Sequence, residues 1–253
     1  MGRVIAIASQ KGGVGKTTTA INLGACLAQE SRRVLIVDID PQGNATSGLG
    51  VNGNDRPQSI YEALIGQVSM ADAVMPTALA SLDLVPAGQR LSGAEVELVG
   101  MMARETRLKT CLATVRDTYD YVLIDSPPSL GLLTVNSLTA SDSVLIPLQC
   151  EYLALEGLTQ LISAIRLVQD HLNPALRIEG VLLTMYDARL NLSQQVADEA
   201  RKFFAERVYS TVIPRNVRLS EAPSFGKPIV LYDPHSTGAD SYRDLAREVL
   251  DHG

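Results

Sequence analysis

The chain alternates short apolar runs with longer stretches in which apolar residues return every three or four positions. The runs fall at residues 4–8, 34–37, 82–85, 121–124, 144–146, 181–183 and 208–213. Each is strand-sized, and several read as continuous Val, Ile and Leu, the pattern of strands covered on both faces. Helical periodicity is clearest over residues 17–29, 104–116, 156–171, 192–207 and 239–250. Strands that alternate with helices predict a parallel sheet, so the expected architecture is α/β, a single doubly wound domain over residues 1–253. Residues 52–81 are weaker: Gly53, Pro57, Gly66 and Pro76 break short helices, and a surface excursion is expected there.

Composition removes several function classes. With 46% apolar and 20% charged residues, the 253-residue chain shows no disordered or fibrous bias. Lys and Arg number 22 against 28 Asp and Glu, a net charge of −6. That balance excludes a basic glove for nucleic acid, so any DNA contact must come from a local patch. No apolar run approaches the ~18 residues that a membrane span needs. Cys26, Cys111 and Cys150 form no CxxC, and His171, His235 and His252 are scattered, which argues against a zinc site or disulfide frame and fits a reducing cytoplasm.

The candidate chemistry begins at the first run. Residues 4–8 lead into Ser9-Gln10-Lys11-Gly12-Gly13-Val14-Gly15-Lys16-Thr17-Thr18, and a helix follows. Glycines at this spacing let successive N–H groups curl around a phosphate, and the helix N-terminus adds its dipole. Lys16 is placed to reach the β- and γ-phosphates of a nucleotide, and the Thr17 hydroxyl to ligate Mg²⁺. The loop departs from G-x-x-x-x-G-K-S/T in two ways: Gln10 stands where the pattern has Gly, and Lys11 adds a second cation.

Two further runs end in carboxylates. Residues 34–37 are followed by Asp38-Ile39-Asp40-Pro41-Gln42-Gly43-Asn44. Strand-end carboxylates beside a phosphate loop lie where open α/β sheets bind ligands, and Pro41 and Gly43 mark a turn able to respond to a γ-phosphate. Asp38 and Asp40 could equally be ordinary turn formers. The run 121–124 ends in Asp125-Ser126-Pro127-Pro128, which makes Asp125 the candidate Mg²⁺ carboxylate.

Lys11-Gly12-Gly13-Val14-Gly15-Lys16-Thr17 resembles the deviant Walker A motif of the ParA/MinD ATPases. The resemblance extends over essentially the whole chain. Asp38-Ile39-Asp40-Pro41-Gln42-Gly43-Asn44-Ala45-Thr46, the segment 151–157 and the segment 213–227 are similar to the chromosomal partition branch often called Soj. It implies that Lys11 reaches across a homodimer to the partner's phosphates, so that two ATP molecules are sandwiched between two protomers. It also implies that Asp40 positions the attacking water near Mg²⁺, and that Met185, Pro214 and Asn216 flank the adenine. Arg189 and Arg218 match basic residues that bind non-specific double-stranded DNA. A centromere-binding partner of the ParB/Spo0J type would stimulate hydrolysis, and the protein would be cytoplasmic and nucleoid-associated, with no membrane partner.

The alternative is a MinD-like membrane-cycling ATPase of division-site placement, which needs a basic amphipathic C-terminal helix. Here Tyr242, Leu245, Val249 and Leu250 form an apolar stripe, but Asp244, Glu248 and Asp251 accompany the arginines, and the expectation is core packing. An iron–sulfur reductase would need cysteines at a dimer seam. An ATP-dependent amide ligase has no specific residue in its favour.

Overall fold

The computed structural model describes residues 2–53, 58–151 and 154–251, so Pro57, Tyr152, Leu153, His252 and Gly253 lie outside the described residues. Eight strands form one sheet: β1 (Arg3–Ile7), β2 (Val34–Asp38), β3 (Met75–Pro76), β4 (Leu82–Val85), β5 (Tyr121–Asp125), β6 (Ser143–Gln149), β7 (Arg177–Tyr186) and β8 (Val208–Pro214). Their order is β3-β4-β2-β5-β1-β6-β7-β8. Among the described residues, only the two-residue β3, at one edge, runs antiparallel to its neighbour. This is the doubly wound, mostly parallel sheet that the strand–helix alternation predicts.

The first half of the chain contributes helices α1 (Lys16–Gln29), α2 (Asn44–Gly48), α3 (Ile60–Ile65), α4 (Met70–Ala73), α5 (Leu91–Val99), α6 (Arg107–Leu112) and α7 (Leu132–Ala140). The second half adds α8 (Ala154–His171), α9 (Asn191–Phe204), α10 (Val217–Glu221), α11 (Ile229–Tyr232) and α12 (Thr237–Asp251). Alternate strand residues point to opposite faces. Ile5, Ile36 and Leu123 pack with α1 and with Tyr242, Leu245 and Val249 of α12. Leu35, Val37, Val122 and Ile124 face the other layer with residues of α3, α5 and α6. Val144, Ile146, Val181 and Leu183 meet α8 and α9. Because both faces are covered, the strands carry no polar alternation, which is why they read as continuous apolar runs.

Within the stretch 52–81, the described residues 58–81 are not a surface excursion. α3 and α4 bury Ile60, Ala63, Leu64, Met70 and Ala73 in the same core as β2 and β5. Each opens on a capping box, Ser59 with Glu62 and Ser69 with Asp72, which offsets the poor periodicity of so short a helix. The stretch 104–116 is likewise no continuous helix: a 3₁₀ turn (Arg104–Thr106) precedes α6, and a second (Arg116–Thr118) follows it. Asn136 Nδ2 donates to the Arg104 carbonyl at 2.8 Å and Asn136 Oδ1 accepts from Leu108 N at 3.1 Å, so α7 takes backbone groups that a straight helix would use itself.

Candidate nucleotide site

The loop between β1 and α1 leaves the middle of the sheet at the C-terminal end of the strands. Gly13 (φ 75°) and Gly15 (φ 93°) hold left-handed backbone, which a side chain would strain. A Cβ placed on Gly12 or Gly13 would meet nothing within 4 Å, so the space over these glycines is open. No side chain caps α1, which leaves its first-turn N–H groups to be met from outside. From the end of β7, the buried Thr184 donates its hydroxyl to the Val14 carbonyl at 2.8 Å and pins the loop from the side.

The two lysines of the loop are in different states. Lys16 is only 6% exposed, and its Nζ donates to the Lys11 carbonyl at 3.1 Å. Burial lowers its pKa, while the carboxylates of Asp125 and Asp40 act in the opposite direction. The Lys11 side chain is half-buried and has no hydrogen-bonding or ionic partner among the described residues.

Sheet register sets the carboxylates. Asp125 pairs with Ile7 on one side and with Asp38 on the other, so the ends of β1, β5 and β2 lie level. Asp38 is fully buried and well bonded: its Oδ2 accepts from Thr46 N at 2.8 Å and from the Thr46 hydroxyl at 2.7 Å, and its Oδ1 from Asp40 N at 3.2 Å. Burial still pushes its carboxyl up to about 6, against the pull of the Thr46 bonds. The Thr46 oxygen also accepts from Ala87 N at 2.9 Å, so Asp38 and Thr46 together fix the turn carrying Asp40. Asp40 is 5% exposed, and its Oδ1 accepts from Gln42 N at 3.0 Å.

Asp125 is fully buried, and neither carboxylate oxygen has a hydrogen bond of acceptable geometry. Burial and then the neighbouring Asp38 push it well above the usual carboxylate range, with the Thr17 hydroxyl and Lys16 opposing. The hydroxyl of the adjacent Ser126 is also buried without a partner. Neighbouring orphaned polar atoms mark a place that a polar ligand completes. A bare buried carboxylate beside a hydroxyl fits a hard cation such as Mg²⁺, which takes few protein ligands and draws the rest from phosphate and water. Among the described residues, no group of three or more His, Cys, Asp or Glu could hold a metal by itself.

Beside the loop lies a cavity of about 320 Å³, whose lining includes Gly15, Thr18, Met185, Pro214, Asn216 and Tyr242. The fold therefore brings the three residues assigned to adenine against the phosphate loop. Met185 holds a left-handed backbone (φ 50°) at this wall. Asn216 is already engaged: its Oδ1 caps α10 by accepting from Arg218 N at 2.8 Å, and its Nδ2 donates to the Thr237 hydroxyl at 2.8 Å.

The two arginines assigned to DNA are exposed and ion-paired. Arg189 grips Asp187 through Nε at 2.9 Å and Nη2 at 2.7 Å. Arg218 reaches Glu221 at 2.8 Å and Asp233 at 3.5 Å. Sequence reasoning passed over Thr46 and Thr184, which hold the turn and the loop. It also missed the contact between Thr19 and Tyr242, whose hydroxyl groups lie 3.2 Å apart and tie α1 to α12. Only the first had a local signal, its place in the segment that opens with Asp38.

A family model described as an AAA domain matches residues 2–178. The sporulation initiation inhibitor protein Soj of Bacillus subtilis (strain 168) is 62% identical over 253 residues, covering 100% of both chains. The chromosome partitioning protein ParA of Myxococcus xanthus is 57% identical, over 99% of this chain and 88% of its own. Among solved structures, the cobyrinic acid a,c-diamide synthase of Mycobacterium smegmatis with bound ATP analogue and magnesium is 41% identical, with a TM-score of 0.87 over 100% of this chain and 96% of that one. On the deviant phosphate loop, the level carboxylates and relatedness at this level over its full length, the chain belongs to the ParA/MinD family of ATPases, in the Soj/ParA chromosome-partitioning branch.

Proposed function

We infer that this chain is a Mg²⁺-dependent ATPase that uses ATP as a timer for DNA partition. The observation that carries the reading is the unequal state of two lysines in one loop. Lys16 is buried and coupled to the Asp125 and Asp40 carboxylates, whereas the Lys11 ammonium is unspent. A second cation cannot share the phosphates of its own loop without crowding Lys16, but a facing protomer offers a separate anion. ATP would thus close a homodimer with each Lys11 on the partner's nucleotide.

Within one protomer, the N–H groups of residues 12–17 cradle the phosphates and Lys16 neutralises the β- and γ-oxygens. Mg²⁺, when bound, spreads the charge that develops on those oxygens; Thr17 and Asp125 are the residues to hold it, with Asp40 near. Asp40, fixed by the turn that Asp38 and Thr46 lock, orients the attacking water. Met185, Pro214 and Asn216 frame the adenine; Asn216 keeps its cap on α10 and offers the base an edge rather than a free amide. In the closed dimer, Arg189 and Arg218 exchange carboxylate partners for DNA phosphates, and two weak patches in one body gain avidity. A ParB-type protein accelerates hydrolysis and reopens the dimer, leaving the protein to cycle between nucleoid and cytoplasm.

No helix among the described residues is long and apolar enough to cross a membrane. Tyr242, Leu245 and Val249 of α12 are fully buried, so the stripe that a MinD-like anchor would expose is spent on the core. The deciding experiment is retention on duplex DNA of arbitrary sequence, with ATP, with ADP and without nucleotide, beside anionic vesicles. Retention only with ATP and only on DNA is expected; equal retention in all nucleotide states, or capture by vesicles instead, overturns the reading. Turnover in that assay with no amide acceptor present separates it from a ligase.

A further inference from the structure

At the opposite end of the sheet from the nucleotide loop, residues of α8, α9 and β7 line a cavity of about 380 Å³. Ile165, Leu176 and Phe204 are buried beneath it, Ile162 and Ile178 are half-buried at its sides, and Gln169 also lines it, its Nε2 donating to the Leu176 carbonyl at 2.8 Å. Arg166 of α8, Arg177 at the start of β7 and Arg207 just before β8 stand on its rim. No Asp or Glu lines it. A second space of about 330 Å³ continues along α8 and α9 and shares Ile162, Arg166 and Phe203 with the first, with Glu199 on its wall. Phe203 lies between the two and is 70% exposed.

The three rim arginines are unusual for this chain. Arg189, Arg201, Arg215, Arg218, Arg243 and Arg247 each hold a carboxylate within 4.0 Å. Arg166, Arg177 and Arg207 have no side-chain hydrogen bond or ion pair among the described residues, although the protein carries a net charge of −6. The turn that brings Arg207 there is strained: Ala205 leaves α9 at φ 50° and ψ −122°, a left-handed conformation unfavourable for a non-glycine residue. Exposed, unpaired guanidinium groups above buried apolar side chains suit a ligand that is acidic and apolar at once.

We propose that this groove between α8 and α9 docks an acidic amphipathic segment of a partner protein, whose apolar side chains cover Phe203 and Ile162 and whose carboxylates pair with Arg166, Arg177 and Arg207. Duplex DNA would use the arginines but leave the apolar floor uncovered, so a peptide fits the whole surface and DNA only its rim. The groove lies at the N-terminal ends of β7 and β8, away from Lys11 and the phosphate loop. A partner seated there leaves the nucleotide site and its dimer face accessible.

Random-peptide phage display against the full-length protein with Mg-ATP tests this, with counter-selection on the double variant Arg166→Glu/Arg207→Glu. Expected winners place Leu, Ile or Phe at helical spacing beside Asp or Glu. Their synthetic peptides should bind the wild type, weaken with salt, and lose roughly tenfold or more on the double variant and on Phe203→Ser. The milder Arg166→Gln/Arg207→Gln pair should give a smaller loss in the same direction. ATP hydrolysis and melting temperature should stay at wild-type values in every variant. A selection that yields no peptide discriminating the variant, or peptides without acidic residues, overturns the proposal. So does loss of duplex-DNA or anionic-vesicle retention in the variants with peptide binding intact, which would assign the rim to those surfaces instead.

Discussion

Asp38 and Asp125 sit level on adjacent strands, and only one of them is bonded. Asp38 accepts three hydrogen bonds from its own turn, while Asp125, paired to it across the β2–β5 ladder, accepts none. The first carboxylate is therefore an organiser of the turn, and the second is an unmet charge that a cation would satisfy.

Asp125→Asn removes that charge at nearly constant shape. The folded-state pKa of Asp125 is raised, so its contribution to stability is full below the unfolded value near ~3.9 and is lost as pH rises through the folded value. Without nucleotide, the variant should melt several degrees above the wild type at neutral pH, since ~1 kcal/mol shifts a domain of this size by ~2–4 °C. The gap should narrow as pH falls and close only near the unfolded value of ~3.9, and the Mg²⁺-dependent part of ATP binding should disappear. Calorimetric melts across pH, with and without Mg-ATP, check both; a variant melting below the wild type at every pH refutes it.

The two lysines should separate binding from assembly. Lys16→Ala is expected to abolish ATP binding by equilibrium dialysis, because the phosphates lose their own loop's cation. Lys11→Ala should retain ATP and fail to dimerise in sedimentation velocity. An ATP-bound Lys11→Ala dimer as stable as the wild type would show that Lys11 acts only within its own chain.

Asp40→Ala should bind Mg-ATP and dimerise, yet hydrolyse at least a hundredfold more slowly, by the ~10²–10⁴ that a positioned acid–base group contributes. Trapped dimers should then remain on DNA. Single-turnover hydrolysis at the wild-type rate would reduce Asp40 to a turn residue.

Arg189 is held by Asp187, whose carboxyl the guanidinium draws down to about 2. The folded-state pKa is depressed, so the pair is complete above the unfolded value near ~3.9 and is lost only as pH falls through the folded one. At neutral pH, DNA must therefore compete with Asp187. Asp187→Asn should tighten ATP-dependent DNA binding, and Arg189→Ala or Arg218→Ala should weaken it equally on any sequence. Each arginine removed takes two phosphate contacts from a dimer, so the slope of log K against log salt should shrink by about 1.8. Unchanged slopes in both arginine variants would leave them as surface ion pairs of little worth.

Leu245→Ala probes the C-terminal helix. Leu245 is fully buried against α1 and the sheet, so truncation should cost ~2–5 kcal/mol in urea unfolding. A stripe held in reserve for lipid would show little loss of stability and a loss of vesicle binding instead.

What the sequence by itself determined is what depends on neighbours in the chain. Residues 9–18 specify loop, glycine conformation and helix start within one contiguous stretch, and the buried strands announce themselves because both faces are apolar. The capping box of Ser59 and Glu62 is local as well, but Gly53, Pro57 and Gly66 around it break the periodicity that would mark a helix. α5 and α7 escaped periodicity: α7 buries Thr134, Asn136 and Ser137, polar residues that belong inside because the Ser129 carbonyl, the backbone of Arg104 and Leu108, and the Leu133 carbonyl satisfy them there. Tertiary structure alone decided that β5 inserts between β1 and β2, and hence that Asp125 stands bare between Ile7 and Asp38. It also decided that Thr184, 170 residues along the chain from Val14, holds the loop, and that three arginines from separate elements meet over one apolar floor. Strand order and burial are long-range properties, set by which surfaces can pack together, and no window of sequence carries them.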